Sequence, residues 1–74
     1  MTIINPNDIE SIITERRIGV NTTDRNKVCF EAIVTTRMGE MIVAYYWTIF
    51  SGLTPWRSAF LEERPSDLIE DPNS

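Results

Sequence analysis

Two stretches dense in β-branched and aromatic residues, Lys27–Thr36 and Met41–Phe50, flank one short interruption, Arg37-Met38-Gly39-Glu40. Such side chains suit the pleated surface of a sheet better than the crowded flank of a helix. A glycine between two such stretches marks a hairpin turn. The sequence therefore predicts a β-ribbon over Val28–Phe50, with Met38 and Gly39 as turn residues and Arg37 facing Glu40 across the mouth. One face of the second strand carries Met41, Val43, Tyr45, Trp47 and Ile49, and the other carries Ile42, Ala44, Tyr46, Thr48 and Phe50. Both sets are apolar, whereas a strand with one wet face alternates apolar with polar. The remaining chain has to cover both sides of the ribbon or leave one side to another molecule.

Only 74 residues are available for this. A chain of about that length buries roughly 60% of the surface its unfolded form exposes. Below roughly 80 residues, disulfides, metals or partner subunits commonly add support. One domain over 1–71 is expected, with 72–74 frayed. Asn5-Pro6 reads as a helix start, a capping side chain followed by a proline whose missing N–H costs nothing there. Asp8 suits the dipole of the first turn, Ile4 and Ile9 are spaced as a staple, and Ile9, Ile12 and Ile13 form an apolar stripe. A helix over 6–17 follows, closed by Gly19. Ile18–Asn21 reads as a short strand and Thr22–Asn26 as a turn. Thr54-Pro55 repeats the cap-and-proline signal, with Trp56, Ala59 and Phe60 as the stripe and Pro65 as the stop. Ser66–Glu70 reads as one further helical turn. The expected fold class is α+β: an N-terminal helix, a two- to three-stranded antiparallel sheet, and a C-terminal helix, with both helices on one side of the sheet. Ile9, Ile12, Ile13, Trp56 and Phe60 are the expected core against one hairpin face.

Chemistry is constrained by absence. The sequence has no histidine and one cysteine, Cys29. Triads that need an imidazole are excluded, and tetrahedral zinc sites lack their usual ligands. Glycine-rich phosphate loops are missing, because the three glycines are far apart. Glu62 and Glu63 are adjacent and point apart on a helix, while Glu31 and Glu40 read as cross-strand partners of Lys27 or Arg37. Asp8, Glu10 and Glu15 read as surface acids of the first helix. Cys29, between Val28 and Phe30, reads as a small core residue rather than a nucleophile. No catalytic residue, metal or cofactor is expected, and the chain reads as a non-enzyme.

Charge and aromatics point to binding. The net charge is −4, and the whole excess lies beyond residue 57, in Glu62, Glu63, Asp67, Glu70 and Asp71 against Arg64. An acidic segment of this kind attracts a basic partner surface over distance. Tyr45, Tyr46, Trp47, Phe50, Trp56 and Phe60 are too many aromatics for so thin a domain to hide, and Tyr and Trp favour interfaces. Ile42, Tyr46 and Phe50 form the expected apolar docking patch, and Glu62, Glu63 and Asp67 the expected acidic one. The reading is an acidic protein-interaction module that regulates, inhibits or adapts a larger protein. One version is a viral or mobile-element inhibitor whose carboxylates stand where phosphates would sit on a nucleic-acid enzyme. The alternative is a homodimeric structural or accessory subunit joined through the Ile42–Tyr46–Phe50 face.

Direct nucleic-acid binding is disfavoured, because an acidic domain is repelled by phosphates. Helix, three strands and helix is also the element order of the double-stranded-RNA-binding domain, which sets lysines at the start of its second helix. The corresponding position here, Thr54-Pro55-Trp56-Arg57, offers one base. Met1–Pro6 lacks the features of a signal peptide, and the apolar window Met41–Leu53 falls short of the roughly 20 residues a membrane span takes. A cytoplasmic protein with a free thiol and no membrane association is expected.

Overall fold

A computed structural model describes residues 2–49 and 55–72. The chain is all-β, which corrects the α+β expectation. Five strands, β1 (Ile9–Asn21), β2 (Lys27–Thr36), β3 (Met41–Ile49), β4 (Trp56–Arg57) and β5 (Leu68–Glu70), form one antiparallel sheet in the order β4-β3-β2-β1-β5.

The hairpin of β2 and β3 is where the sequence placed it, with a different turn. Thr35 pairs with Met41 and Thr36 exchanges backbone hydrogen bonds with Glu40 and Gly39, so the loop is Arg37-Met38-Gly39. Gly39 has φ +85°, a left-handed conformation that glycine adopts without strain. The register moves by one residue, and Arg37 does not face Glu40. Its backbone N–H donates to the Asp8 carbonyl and its Nε to the Asn7 carbonyl.

The helix predicted over 6–17 is a single 3-10 turn, Pro6–Asp8, followed by β1. Its cap is as read: the Asn5 side chain accepts from the Asn7 N–H, with Pro6 at the first position. Beyond Asp8, sheet pairing wins. β1 pairs with β2 along its whole length through three register shifts, at Ile9/Ser11, Ile12/Thr14 and Arg17/Gly19. Each is a bulge that adds a residue and bends the strand.

The second predicted helix is absent as well. Trp56 and Arg57 pair with Ile49 and Thr48, the Ser58 N–H donates to the Trp47 carbonyl, and Leu61 exchanges two bonds with Tyr45. The outer edge of β3 would otherwise leave these polar groups without partners, and that demand overrides the local helix signal. Ser66–Glu70 is a turn and β5 rather than a helical turn. Thr54 and Phe50 lie outside the described residues.

Cover for both faces comes from the chain's two end segments. Residues 2–4 pair with 60–62 beside β3, through Ile4 N–H to the Phe60 carbonyl and Glu62 N–H to the Thr2 carbonyl. On the first face Ile4 and Phe60 pack on Ala32, Val34, Ala44 and Tyr46. On the second face Ile18 and Leu68 pack with Cys29, Trp47 and Tyr45. Between Leu61 and β5 the chain crosses that second face, where Arg64 lies 5.6 Å over the Tyr45 ring and bonds Glu31. The core therefore differs from the expected one: Phe60 belongs to it, while Ile12, Ile13 and Trp56 are exposed by 38, 48 and 45%. Among the described residues no helix is long and apolar enough to cross a membrane.

Candidate functional site

The hairpin loop, the 3-10 turn and the segment after Phe60 converge at one end of the first face. They enclose a groove of about 260 Å³. Buried Ile4 and half-buried Ile42 form its apolar part, and exposed Met38 stands at its side. Around them stand three carboxylates, Asp8, Glu40 and Glu62, against one base, Arg37. Each acid comes from a different part of the chain and is held by its backbone. The Asp8 carbonyl accepts from Arg37, the Glu40 N–H bonds the Thr36 hydroxyl at 3.1 Å, and the Glu62 N–H bonds the Thr2 carbonyl. Among the described residues none of the three carboxylates is in an ion pair. No three His, Cys, Asp or Glu side chains among those residues are grouped to hold a metal ion.

The expected site residues are dispersed. Ile42 and Glu62 meet in this groove. Tyr46 is 4% exposed and belongs to the core, stacked on Phe30 at 5.4 Å and edge-on to Phe60 at 5.1 Å. Its hydroxyl donates to the Glu15 carboxylate. Burial first, then that hydrogen bond and the Glu15 charge, push its pKa up, against the opposing charge of Arg57. A patch centred on Tyr46 is thus occupied by the molecule's own packing, and Phe50 lies outside the described residues. Glu63 is exposed, makes no ion pair among the described residues and does not line the groove. Asp67 accepts from the Asn21 amide at 2.9 Å and ties β5 to the end of β1.

The other acids serve the fold. Glu31 pairs with Arg16 and Arg64, not with Lys27 or Arg37, and Arg64 also meets Glu70. Arg17 pairs with Asp71 at 2.9 Å. Burial alone would raise the Glu31 pKa, but hydrogen bonds from Arg16 and Tyr45 and the charges of Arg16 and Arg64 hold it below the ordinary carboxylate value. Lys27 lies over the rings of Trp47 and Trp56 at 5.9 and 5.4 Å. Burial pushes the Cys29 thiol up to about 12, with the Arg64 charge opposing and Asp67 and Glu31 adding to the rise.

Sequence reasoning missed Asp8 and Glu40 as site residues. Asp8 was read as a helix-dipole partner and Glu40 as half of a hairpin pair. No local signal brings either to Glu62, because long-range pairing of the chain's two end segments does so. A second hollow, of about 360 Å³, lies on the same face beside Tyr46 and Trp56 and contains Thr48, whose buried hydroxyl has no partner among the described residues. Comparison with protein-family models, curated proteins and solved structures found no match.

Proposed function

We propose that this chain is a protein-interaction module that regulates, inhibits or adapts a larger protein by seating a basic side chain of that protein in the groove. One observation carries the reading: three carboxylates without ion-pair partners, from three separate segments, surround an apolar surface made by Ile4 and Ile42. A lysine or arginine matches that arrangement. Its aliphatic stem lies on the isoleucines and its charged head reaches the acids. The net charge of −4 steers such a partner before contact. The reading needs no catalytic group. In its narrower version the partner's basic surface is the one that holds phosphates in a nucleic-acid enzyme.

Affinity capture from source-cell extract at graded salt tests the proposal. Glu40→Lys/Glu62→Lys is expected to weaken capture of a given partner by roughly tenfold or more, and Glu63→Lys far less. Capture by the parent chain is expected to fall as salt rises. Binding that ignores both salt and the double reversal removes the groove from consideration. Competition by duplex DNA then decides the narrower version, since a partner that still binds in excess DNA is not held at its phosphate site.

A further inference from the structure

The sheet has an open margin. β1 pairs with β2 on one side, but on the other side β5 meets only Gly19, Val20 and Asn21, and Asp71 bonds the Ile18 carbonyl. Among the described residues nothing pairs with the outer side of residues 10–17. Unpaired strand edges recruit other strands unless bulges or charges blunt them. Here both are present, and their arrangement selects a partner.

We infer that a second copy of this chain pairs with its own β1, edge to edge and antiparallel, about a two-fold axis between Ile13 and Thr14. Three observations agree on that axis. It is the midpoint of the open stretch, so the pairing uses the whole stretch and stops where β5 begins on one copy and the 3-10 turn on the other. It also sets same-face residues opposite each other. Within a protomer Ser11 and Arg16 share a face with Thr35 and Glu31, and Ile12 and Glu15 share the other with Val34 and Ala32. The bulge between Ile12 and Thr14 shifts the alternation by one, so Ser11 of one copy opposes Arg16 of the next, and Ile12 opposes Glu15. Finally, charge favours this register: Glu10, which makes no ion pair among the described residues, comes beside the Arg17–Asp71 pair of the other copy, where Arg17 gains a second carboxylate, twice by symmetry. A parallel pairing would bring like to like. Exposed Ile12 and Ile13 lose water at the centre of the contact.

The interface is isologous and closed, because each copy spends the same edge. It is independent of the groove, which lies at the hairpin end of the first face, so failure of one reading leaves the other standing.

Sedimentation equilibrium of the full chain, with amide hydrogen exchange read at several concentrations, tests the inference. The expected result is a reversible monomer–dimer equilibrium in which amides of residues 10–17 exchange more slowly as concentration rises. Glu10→Lys, at an exposed position without an ion-pair partner, is expected to raise the dissociation constant by roughly tenfold. Glu63→Lys is expected to leave it unchanged. Circular dichroism confirms that each variant is folded, and the exchange experiment on the parent chain needs no variant. A single-copy mass at high micromolar concentration, a dimer indifferent to Glu10→Lys, or a mass that climbs past two copies overturns the inference.

Discussion

Glu31 lies on β2 between two guanidinium groups, with its side chain 19% exposed. The same carboxylate joins β1, through Arg16, to the crossing segment, through Arg64. Because its native pKa lies below the ordinary 4.5, its contribution to stability is complete above that value and is lost as pH falls through the native one. Glu31→Gln is expected to cost about 1–2 kcal/mol at neutral pH and to converge on the parent in strong acid. Urea titrations at the two pH values check this, and an equal cost at both would show that the charge is not what matters. At this scale the sequence was partly legible. Cys29 was read as a core residue, and it is fully buried. Tyr46 was read as a docking residue and is core, because composition says how many aromatics there are and only the register says which ones the chain's end segments cover.

Among the elements, β1 shows best why a strand can imitate a helix. Ile9 and Ile12 share the first face although they are three apart, because a bulge inserts a residue between them. The spacing of three followed by one at Ile9, Ile12 and Ile13 then matches an amphipathic helix. The contrary signal was present in β-branched Ile9, Ile12, Ile13, Thr14, Ile18 and Val20. The β2–β3 hairpin was legible because both its strands are unbroken and its turn holds a glycine. β4 and β5 were not, since each is only two or three residues long and exists to pair with the end of a long strand, β4 with nearby β3 and β5 with distant β1. Where β5 meets β1, Gly19 is needed for space. A Cβ there would overlap the Ile69 carbonyl oxygen and come to 2.8 Å from Leu68 Cδ1. Backbone cannot yield as a flexible side chain can. Gly19→Ala is therefore expected to cost about 2 kcal/mol or more. Hydrogen exchange should show the loss first in Leu68–Glu70, and an unaltered rate there would contradict this account of the contact.

At the scale of the whole molecule, one thin sheet serves two small cores, one on each face. The ribbon's two apolar faces were legible and their cover was not, because it comes from loop-like end segments with no periodicity of their own. Cys29 reports on the integrity of the second core. With its thiol buried and its pKa pushed up to about 12, modification requires Leu68 and Trp47 to separate. Labelling by a thiol reagent at mildly alkaline pH is expected to follow global unfolding, with a urea dependence close to that of equilibrium unfolding. Labelling faster than unfolding and insensitive to urea would reveal a local opening instead.

The crossing segment also makes the second core conditional on one stretch of backbone. Residues 62–67 carry the chain over that face to the point where Leu68 packs beside Cys29 and Trp47. A proteolytic cut there would turn an intramolecular contact into a bimolecular one, and dilution would then uncover the thiol.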